Sequence, residues 1–114
     1  VVVLGAAYRG GVKETAFSGV FGAVTALESR GATVTVHDPL YTDEELGRLG
    51  FTPHHLGEEV DAAVVQADHV EYRDLAPADL PGIRAFIDGR RVSSAERWPG
   101  VTYRVIGKAI TPAA

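Results

Sequence analysis

The stretch Val1-Val2-Val3-Leu4-Gly5 decides how this chain is expected to fold. Its apolar residues run without a break and stop at a glycine, which is typical of a strand covered on both faces of a parallel sheet. A glycine-rich loop through Glu14 follows, and apolar residues then recur at helical spacing from Phe17 to Leu27. We expect Thr15 to cap this helix and Gly31 to end it in a left-handed conformation.

Strand-like and helix-like segments alternate along the rest of the chain. Thr42 and Glu45 form a capping box that predicts the start of a short helix. The further predicted strands are Val34 to Val36, a weak one over Phe51 to His55, Val60 to Val65 in a central position, Arg84 to Asp88 and Thr102 to Ile106. The further predicted helical turns are Leu75 to Leu80 and Ser94 to Trp98. The alternation predicts an α/β, Rossmann-like three-layer domain with a mostly parallel sheet of about five to six strands.

The composition is that of one globular domain, with 114 residues, 46% of them apolar and 23% charged. The net charge of −4, with both signs mixed along the chain, argues against binding to a nucleic-acid duplex. No apolar run approaches the roughly 20 residues of a membrane helix, and no signal-peptide pattern is visible. Without cysteine the chain has no disulfide, thiol nucleophile or thiolate metal site, and the cytoplasm is the expected compartment.

The two ends of the sequence indicate how the chain relates to the whole protein. The chain opens on a core strand and contains no methionine, so we expect a domain, residues 1–114, of a longer protein. Only the last few residues look like a loose tail.

Ligands of parallel sheets bind outside the carboxyl ends of the strands, which directs attention to the loop after Leu4. This loop is not a dinucleotide fingerprint, because Ala7 stands where the second glycine belongs, and it is not a P-loop, because Gly11 stands in place of the lysine. Gly10 and Gly11 still let a ligand approach the backbone, and Arg9 adds a charge suited to phosphate or hydroxyl groups. The alternative is that the two glycines only let the loop turn.

Three other strand ends carry polar residues. Asp38 matches a ribose-binding acid or, as the favoured alternative, a turn residue before proline. His69 is a candidate base or a solvent-side hydrogen-bonding residue. Arg90 and Arg91 form an anion receptor or a surface pair with partners such as Glu96. The histidines lie on separate loops without ligand-type spacing, so no metal site is expected.

Taken in order, these loops resemble the C-terminal domain of the UDP-glucose/GDP-mannose dehydrogenase family. The family's Gly-x-x-(Phe/Tyr)-Lys loop is similar to Gly5-Ala6-Ala7-Tyr8-Arg9, and the stretch before its Ser-Pro is loosely similar to Lys13 through Ser18. Its Asp-Pro, its Thr-(Asp/Glu)-His-x-x-(Phe/Tyr) segment and its Asp-Gly-Arg resemble Asp38-Pro39, Ala67 through Tyr72 and Asp88-Gly89-Arg90. Each motif is weak alone, but their order at the strand ends, over nearly all of the chain, is fairly specific.

The resemblance implies the UDP-sugar-binding C-terminal domain of an NAD-dependent nucleotide-sugar 6-dehydrogenase of the UDP-glucose or UDP-N-acetylmannosamine type. Family members oxidise the sugar C6 alcohol to a carboxylate, with a catalytic cysteine between the domains. This chain has no cysteine, so we expect no catalytic residue in it. NAD is expected on the N-terminal domain of the same protein and not on this fragment alone. The resemblance further implies a homo-oligomer that makes precursors of cell-surface polysaccharides.

By the same resemblance, Tyr8 and Arg9 take the place of the family's aromatic–lysine pair at the substrate, and Arg90 that of its substrate-binding arginine. Further loop contacts are expected from Gly10, Gly11, Lys13 and His69.

Three departures mark a divergent branch of the family. Arg9 replaces the lysine, which keeps the charge and changes its geometry. Ala16 stands where many members carry an arginine that reaches the NAD side, and Gly19 replaces the proline after Ser18. The alternative function is therefore a non-catalytic nucleotide-binding or regulatory module on the same fold, and a third is a purely structural or oligomerisation domain.

Overall fold

The computed structural model describes residues 1–107, and the expected tail lies outside them. Five strands form one all-parallel sheet: β1 Val2–Leu4, β2 Thr35–His37, β3 Ala62–Val65, β4 Ala85–Asp88 and β5 Thr102–Val105. Their order across the sheet is β2-β1-β3-β4-β5. The described helices are α1 Val20–Ser29, α2 Asp43–Arg48 and the 3₁₀ helices Val70–Asp74, Pro77–Asp79 and Ala95–Arg97. The α/β, Rossmann-like architecture is confirmed.

Two apolar clusters sandwich the sheet. On one face Val3 and Val36 pack with Val20, from α1, and with Leu46, from α2. Because Val3 is fully buried there while its neighbours in β1 are buried on the opposite face, this strand is covered on both sides as its unbroken apolar run predicts.

The second face is covered by 3₁₀ helices and loops instead of α-helices. Phe86 of β4 stacks on Trp98 with ring centroids 4.6 Å apart, and Tyr72 joins the same cluster. The predicted helical turn at Leu75 to Leu80 shortens to Pro77–Asp79, since both flanking leucines are buried anchors of the connection.

The weak strand predicted over Phe51 to His55 is reduced to one parallel bridge between Pro53 and Val36 of β2. Two hydrogen bonds support the bridge, from Val36 N–H to the Thr52 carbonyl at 2.9 Å and from His54 N–H to the Val36 carbonyl at 2.8 Å. With this segment outside β2, the order of strands is that of a doubly wound sheet whose winding reverses between β1 and β3.

Helix α1 starts later than its apolar spacing predicts, and Thr15 does not cap it. Phe17 lies outside the helix with a left-handed φ of 62° and is 94% exposed. The cause is Ser18, whose hydroxyl donates to the Ala6 carbonyl at 2.8 Å and accepts from Val20 N–H at 3.2 Å, so the first turn forms after it.

The end of α1 and the start of α2 lie where the sequence predicts them. Gly31, with a φ of 91°, ends the chain's first helical segment, and Ala32 N–H donates back to the Leu27 carbonyl at 3.1 Å. The capping box of α2 is confirmed, because the Thr42 hydroxyl accepts from Glu45 N–H at 3.2 Å and the Glu45 carboxylate accepts from Thr42 N–H at 2.9 Å.

A tight backbone contact lies at the end of β1. Gly5 has a φ of 105°, and a Cβ there would lie 2.5 Å from the Cβ of Ala67. We expect Gly5→Ala to lower the free energy of unfolding by more than about 2 kcal/mol in urea titrations, since neither backbone can move away cheaply. The control Gly31→Ala shares the left-handed φ but meets no atom within 4 Å, so it should cost only about 1 kcal/mol. Equal losses would contradict the close contact.

A buried histidine lies at the outer edge of β2. The ring Nδ1 of His54 shares a hydrogen bond of 3.1 Å with the Thr35 hydroxyl, while its Nε2 is buried without a partner within residues 1–107. Burial lowers the pKa of His54, because the charged ring would lose its hydration. The exposed neighbour His55 has a raised pKa, first through its hydrogen bond to Asp43.

These opposite pKa shifts predict that the two histidines change the stability of the fold in opposite directions as the pH falls. Below the usual histidine pKa of 6.5, the unfolded chain takes up a proton that buried His54 resists, so His54 destabilises the fold as the pH falls. We therefore expect His54→Leu to lose less stability than the wild type between about pH 7.5 and about pH 5.5 in urea unfolding. The matched control is His55→Ala, which should lose more, because the raised pKa of His55 stabilises the fold at low pH and this contribution fades as the pH rises. The same change in both variants would count against these assignments.

Candidate functional site

The loops at the carboxyl edge of the sheet are residues 5–19, 38–42, 66–69 and 89–93, and the first three meet around a buried carboxylate. Asp38 is only 4% exposed. Its Oδ2 accepts from Ala6 N–H at 2.8 Å and from Ala7 N–H at 3.0 Å, and its Oδ1 accepts from Leu40 N–H at 2.8 Å. Asp38 thus forms the local turn that the favoured alternative predicts, through Leu40. It also holds the backbone that follows β1, through Ala6 and Ala7.

His69 completes the coordination of Asp38. Its Nε2 donates to Asp38 Oδ2 at 2.8 Å, and its Nδ1 accepts from Gly11 N–H at 3.0 Å. Burial alone would raise the pKa of Asp38, but the hydrogen bonds from His69 and from Leu40 and Ala7 outweigh it and lower the pKa. The ring of His69 is buried and not on the solvent side, so a direct contact with a ligand would require this pair to open.

Gln66 joins three parts of the site, and sequence reasoning did not single it out. Its side-chain Nε2 donates to the carbonyls of Gly5 at 2.7 Å and Ala7 at 3.0 Å, while its Oε1 accepts from Gly19 N–H at 3.2 Å. It lies at the point where the winding of the sheet reverses. The sequence signal that could have identified Gln66 is its position as a polar residue directly after the apolar strand β3.

The Gly10-Gly11 turn is held against the loop after β3. Gly10 N–H donates to Asp68 Oδ1 at 2.7 Å, and a Cβ on Gly10 would lie 2.2 Å from the Asp68 carbonyl oxygen. The pKa of Asp68 is lowered first by this backbone hydrogen bond, with a further contribution from the positive charge of Arg90. The glycine is therefore required by the close approach of two loops.

Asp88 organises the loop that carries Arg90. Its Oδ1 accepts from the N–H groups of Arg90 and Val92, both at 3.1 Å, and its Oδ2 accepts from Ser93 N–H at 2.8 Å. The hydroxyl of Tyr103 donates to the same Oδ2 at 2.5 Å. Burial and this hydrogen bond raise the pKa of Tyr103 well above its usual range, so the phenol remains a donor.

Arg90 bridges two of the loops. Its Nε donates to the Gln66 carbonyl at 2.9 Å, and its Nη2 donates to the Tyr8 carbonyl at 3.4 Å. Tyr8 precedes Arg9 in the chain, so the two exposed arginines lie at the same edge of the sheet. Tyr8 itself is 47% exposed, and its ring is accessible beside them.

Lys13 and Arg91 point elsewhere. The Lys13 ammonium pairs with Glu45 of α2 at 2.5 Å and lies 5.3 Å from the centroid of the Tyr41 ring. Arg91 has a left-handed φ of 57°, and its Nη2 lies 3.1 Å from where a Cβ of Gly107 would be. The two adjacent guanidinium groups thus lie near different neighbours, and anion binding by Arg90 and Arg91 stays a prediction.

The structure therefore brings together most of the predicted site residues at one edge. Those that meet there are Tyr8, Arg9, Gly10, Gly11, His69 and Arg90. Within residues 1–107, no group of three or more histidine, aspartate or glutamate side chains is placed to hold a metal ion. No helix in that range is long and apolar enough to span a bilayer.

Comparisons with known proteins identify the family of the chain. The family model described as "UDP-glucose/GDP-mannose dehydrogenase family, UDP binding domain" matches residues 2–95. No curated protein sequence matches the chain.

Similar solved structures include two dehydrogenases. The UDP-N-acetyl-mannosamine dehydrogenase Cap5O of Staphylococcus aureus has a TM-score of 0.70 at 21% identity, over 91% of this chain and 25% of its own. The UDP-D-ManNAc dehydrogenase of Pyrococcus horikoshii has a TM-score of 0.68 at 25% identity, over 93% of this chain and 25% of its own. The present chain thus spans about a quarter of the length of the proteins it resembles. On the match across residues 2–95, the chain belongs to the UDP-glucose/GDP-mannose dehydrogenase family and corresponds to its UDP-binding domain.

Proposed function

We propose that residues 1–114 are the C-terminal domain that binds the UDP-sugar in an NAD-dependent nucleotide-sugar 6-dehydrogenase. The reaction would oxidise the C6 alcohol of UDP-glucose or UDP-N-acetylmannosamine to a carboxylate, in the cytoplasm, toward polysaccharide precursors. Family membership supports UDP binding, and the two solved dehydrogenases support the sugar-nucleotide class. The observation that carries the proposal is the contact of Arg90 with the Tyr8 carbonyl, one residue from Arg9.

Two exposed arginines on loops at one edge of the sheet suit a pyrophosphate. Two N–H groups of the exposed Arg90 side chain donate to backbone carbonyls, and its other N–H groups are available to a ligand. The Arg9 side chain is exposed and makes no hydrogen bond or ion pair within the described part of the chain. Each charge-assisted hydrogen bond to a phosphate contributes about 1.5–3 kcal/mol. This domain would hold and orient the substrate, while the nucleophile comes from elsewhere in the protein.

The first loop of this chain does not fit a dinucleotide. The carboxylate of Asp38, at the position of a ribose-binding acid, already accepts from three backbone N–H groups and from His69. Gln66 fills the space beside the Gly5 and Ala7 carbonyls. These contacts support the proposal that NAD binds mainly on an N-terminal domain of the same protein. That domain, and a second copy of the whole protein, are the proposed partners.

The non-catalytic alternative shares the nucleotide site and differs only in the chemistry. It is favoured by Ala16, which is exposed and cannot supply the arginine that many members direct toward NAD. The gene sequence preceding Val1 separates the two functions. A G-x-G-x-x-G strand–helix unit followed by an isolated cysteine supports the dehydrogenase, and their absence supports a binding or regulatory module.

Calorimetric titration of UDP into the 114-residue chain tests the proposed site. We expect Arg9→Ala and Arg90→Ala each to weaken binding about tenfold or more, because each loses a charge-assisted contact with the phosphates. Uridine, which has no phosphate, should bind weakly to the wild type and should not distinguish the variants.

The matched control is Arg84→Ala. Arg84 is an exposed arginine just before β4, at the opposite edge of the sheet, where it lies 3.6 Å from an Asp61 oxygen. Its removal should leave the UDP affinity unchanged. An equal loss in all three variants would indicate a diffuse charge effect, and no loss at positions 9 and 90 would overturn the site.

A further inference from the structure

The buried imidazole of His69 links a fixed carboxylate to an exposed turn. The residue is 1% exposed, and both ring nitrogens bind within the protein, Nε2 to Asp38 and Nδ1 to Gly11 N–H. Asp38 is itself fixed by backbone N–H groups on two loops. A continuous series of hydrogen bonds therefore runs from the end of β2 to the turn that follows Arg9.

The donors and acceptors in this series fix the form of the ring. Gly11 N–H can only donate, so Nδ1 must present its lone pair, and the carboxylate of Asp38 can only accept, so Nε2 must carry the hydrogen. A ring with hydrogen on Nδ1 would direct two donors at each other and release the Gly11 amide. The contact at Gly11 thus depends on one tautomer, and Asp38 selects it.

The Gly11 end of the turn depends on this anchor, because no other part of the described chain packs against it closely. Gly11 has a left-handed φ of 75°, and no atom lies within 4 Å of the position of a Cβ. Val12 N–H donates to the Arg9 carbonyl at 3.4 Å across the turn itself, and two hydrogen bonds join the turn to the loop after β3, Gly10 N–H to Asp68 and Gly11 N–H to His69. Glycine has the largest backbone freedom of any residue, so loss of one tie would let the turn sample several conformations.

We infer that His69 is a positioning residue for the nucleotide-sugar site, which fixes the Gly10-Gly11 turn, and so Arg9, without touching the ligand. This inference rests on the proposed function. It differs from a general structural role, because it assigns the effect on the ligand to the Gly11 contact alone. The Asp38 contact, by contrast, satisfies a buried charge and determines stability.

Two substitutions separate the two contacts. In His69→Gln the side-chain amide nitrogen can replace Nε2 as a donor to Asp38, while the acceptor for Gly11 is lost. In His69→Asn the side-chain oxygen can replace Nδ1 as the acceptor for Gly11, while the donor to Asp38 is lost. We expect His69→Gln to keep most of the stability and to bind UDP about tenfold more weakly, since the turn must be ordered on binding. We expect His69→Asn to be less stable and, below its unfolding transition, to bind UDP as the wild type does.

Amide exchange and nitrogen NMR test the link without a ligand. The expected results are an Nε2–H tautomer for His69 in the wild type and faster exchange of the Gly11 amide in His69→Gln than in His69→Asn. An Nδ1–H tautomer, or UDP affinities that follow the stabilities of the two variants, would overturn the inference. If the wild type shows the expected tautomer and exchange but binds no UDP, the proposed function fails and the positioning role for that ligand fails with it. If the wild type binds UDP and both variants bind equally well, only the positioning role fails.

Discussion

The carboxylate of Asp38 is the interaction on which the arrangement of this edge depends. An ionised group removed from water must recover its hydration from the protein, and here three amides and an imidazole supply it. Those partners come from the loops after β1, β2 and β3, so the hydrogen bonds to one carboxylate hold three separate segments together. Removal of a partner from such a buried group typically costs about 3–5 kcal/mol, which makes the geometry hard to relax.

A second carboxylate repeats the arrangement on the other side of the sheet's centre. Asp88 gathers the amides of residues 90, 92 and 93 and the hydroxyl of Tyr103, and it thereby presents Arg90 toward the first loop. The side chain of Gln66 binds the backbone at both ends of the loop between β1 and α1, and its backbone carbonyl accepts from Arg90 of the Asp88 loop. The exposed arginines are thus carried on loops whose backbones are held from within, so the proposed site for an anion lies on an edge that is already ordered.

The sequence was informative where a local pattern had one physical solution. The unbroken run of β1 implies burial on both faces, and the capping box of α2 has one reciprocal geometry, so both were predictable. The rule that ligands lie at the carboxyl ends of parallel strands predicts Tyr8, Arg9 and Arg90 at one edge of the sheet. The ligand contacts of these residues remain a prediction.

Other features depended on contacts that no local pattern records. Phe17 fits the helical spacing of α1, but spacing carries no information about the hydroxyl of Ser18, which delays the helix. Asp38 and His69 are 31 positions apart, and each alone suggested a separate function. Only the parallel pairing of β1 with both β2 and β3 brings the two side chains into contact. The role of Gln66 was missed for the same reason.

The internal use of Asp38 and Gln66 also limits how this edge could be re-engineered. Restoring the missing glycine at position 7 would complete the spelling of a cofactor-binding motif but would leave the amide of residue 7 bound to Asp38 and its carbonyl bound to Gln66. A designer who wished to convert the domain to a new cofactor would have to dismantle the polar network beneath the loop before altering the loop itself. In this architecture, the groups that hold the loop lie one layer below the surface that the loop exposes.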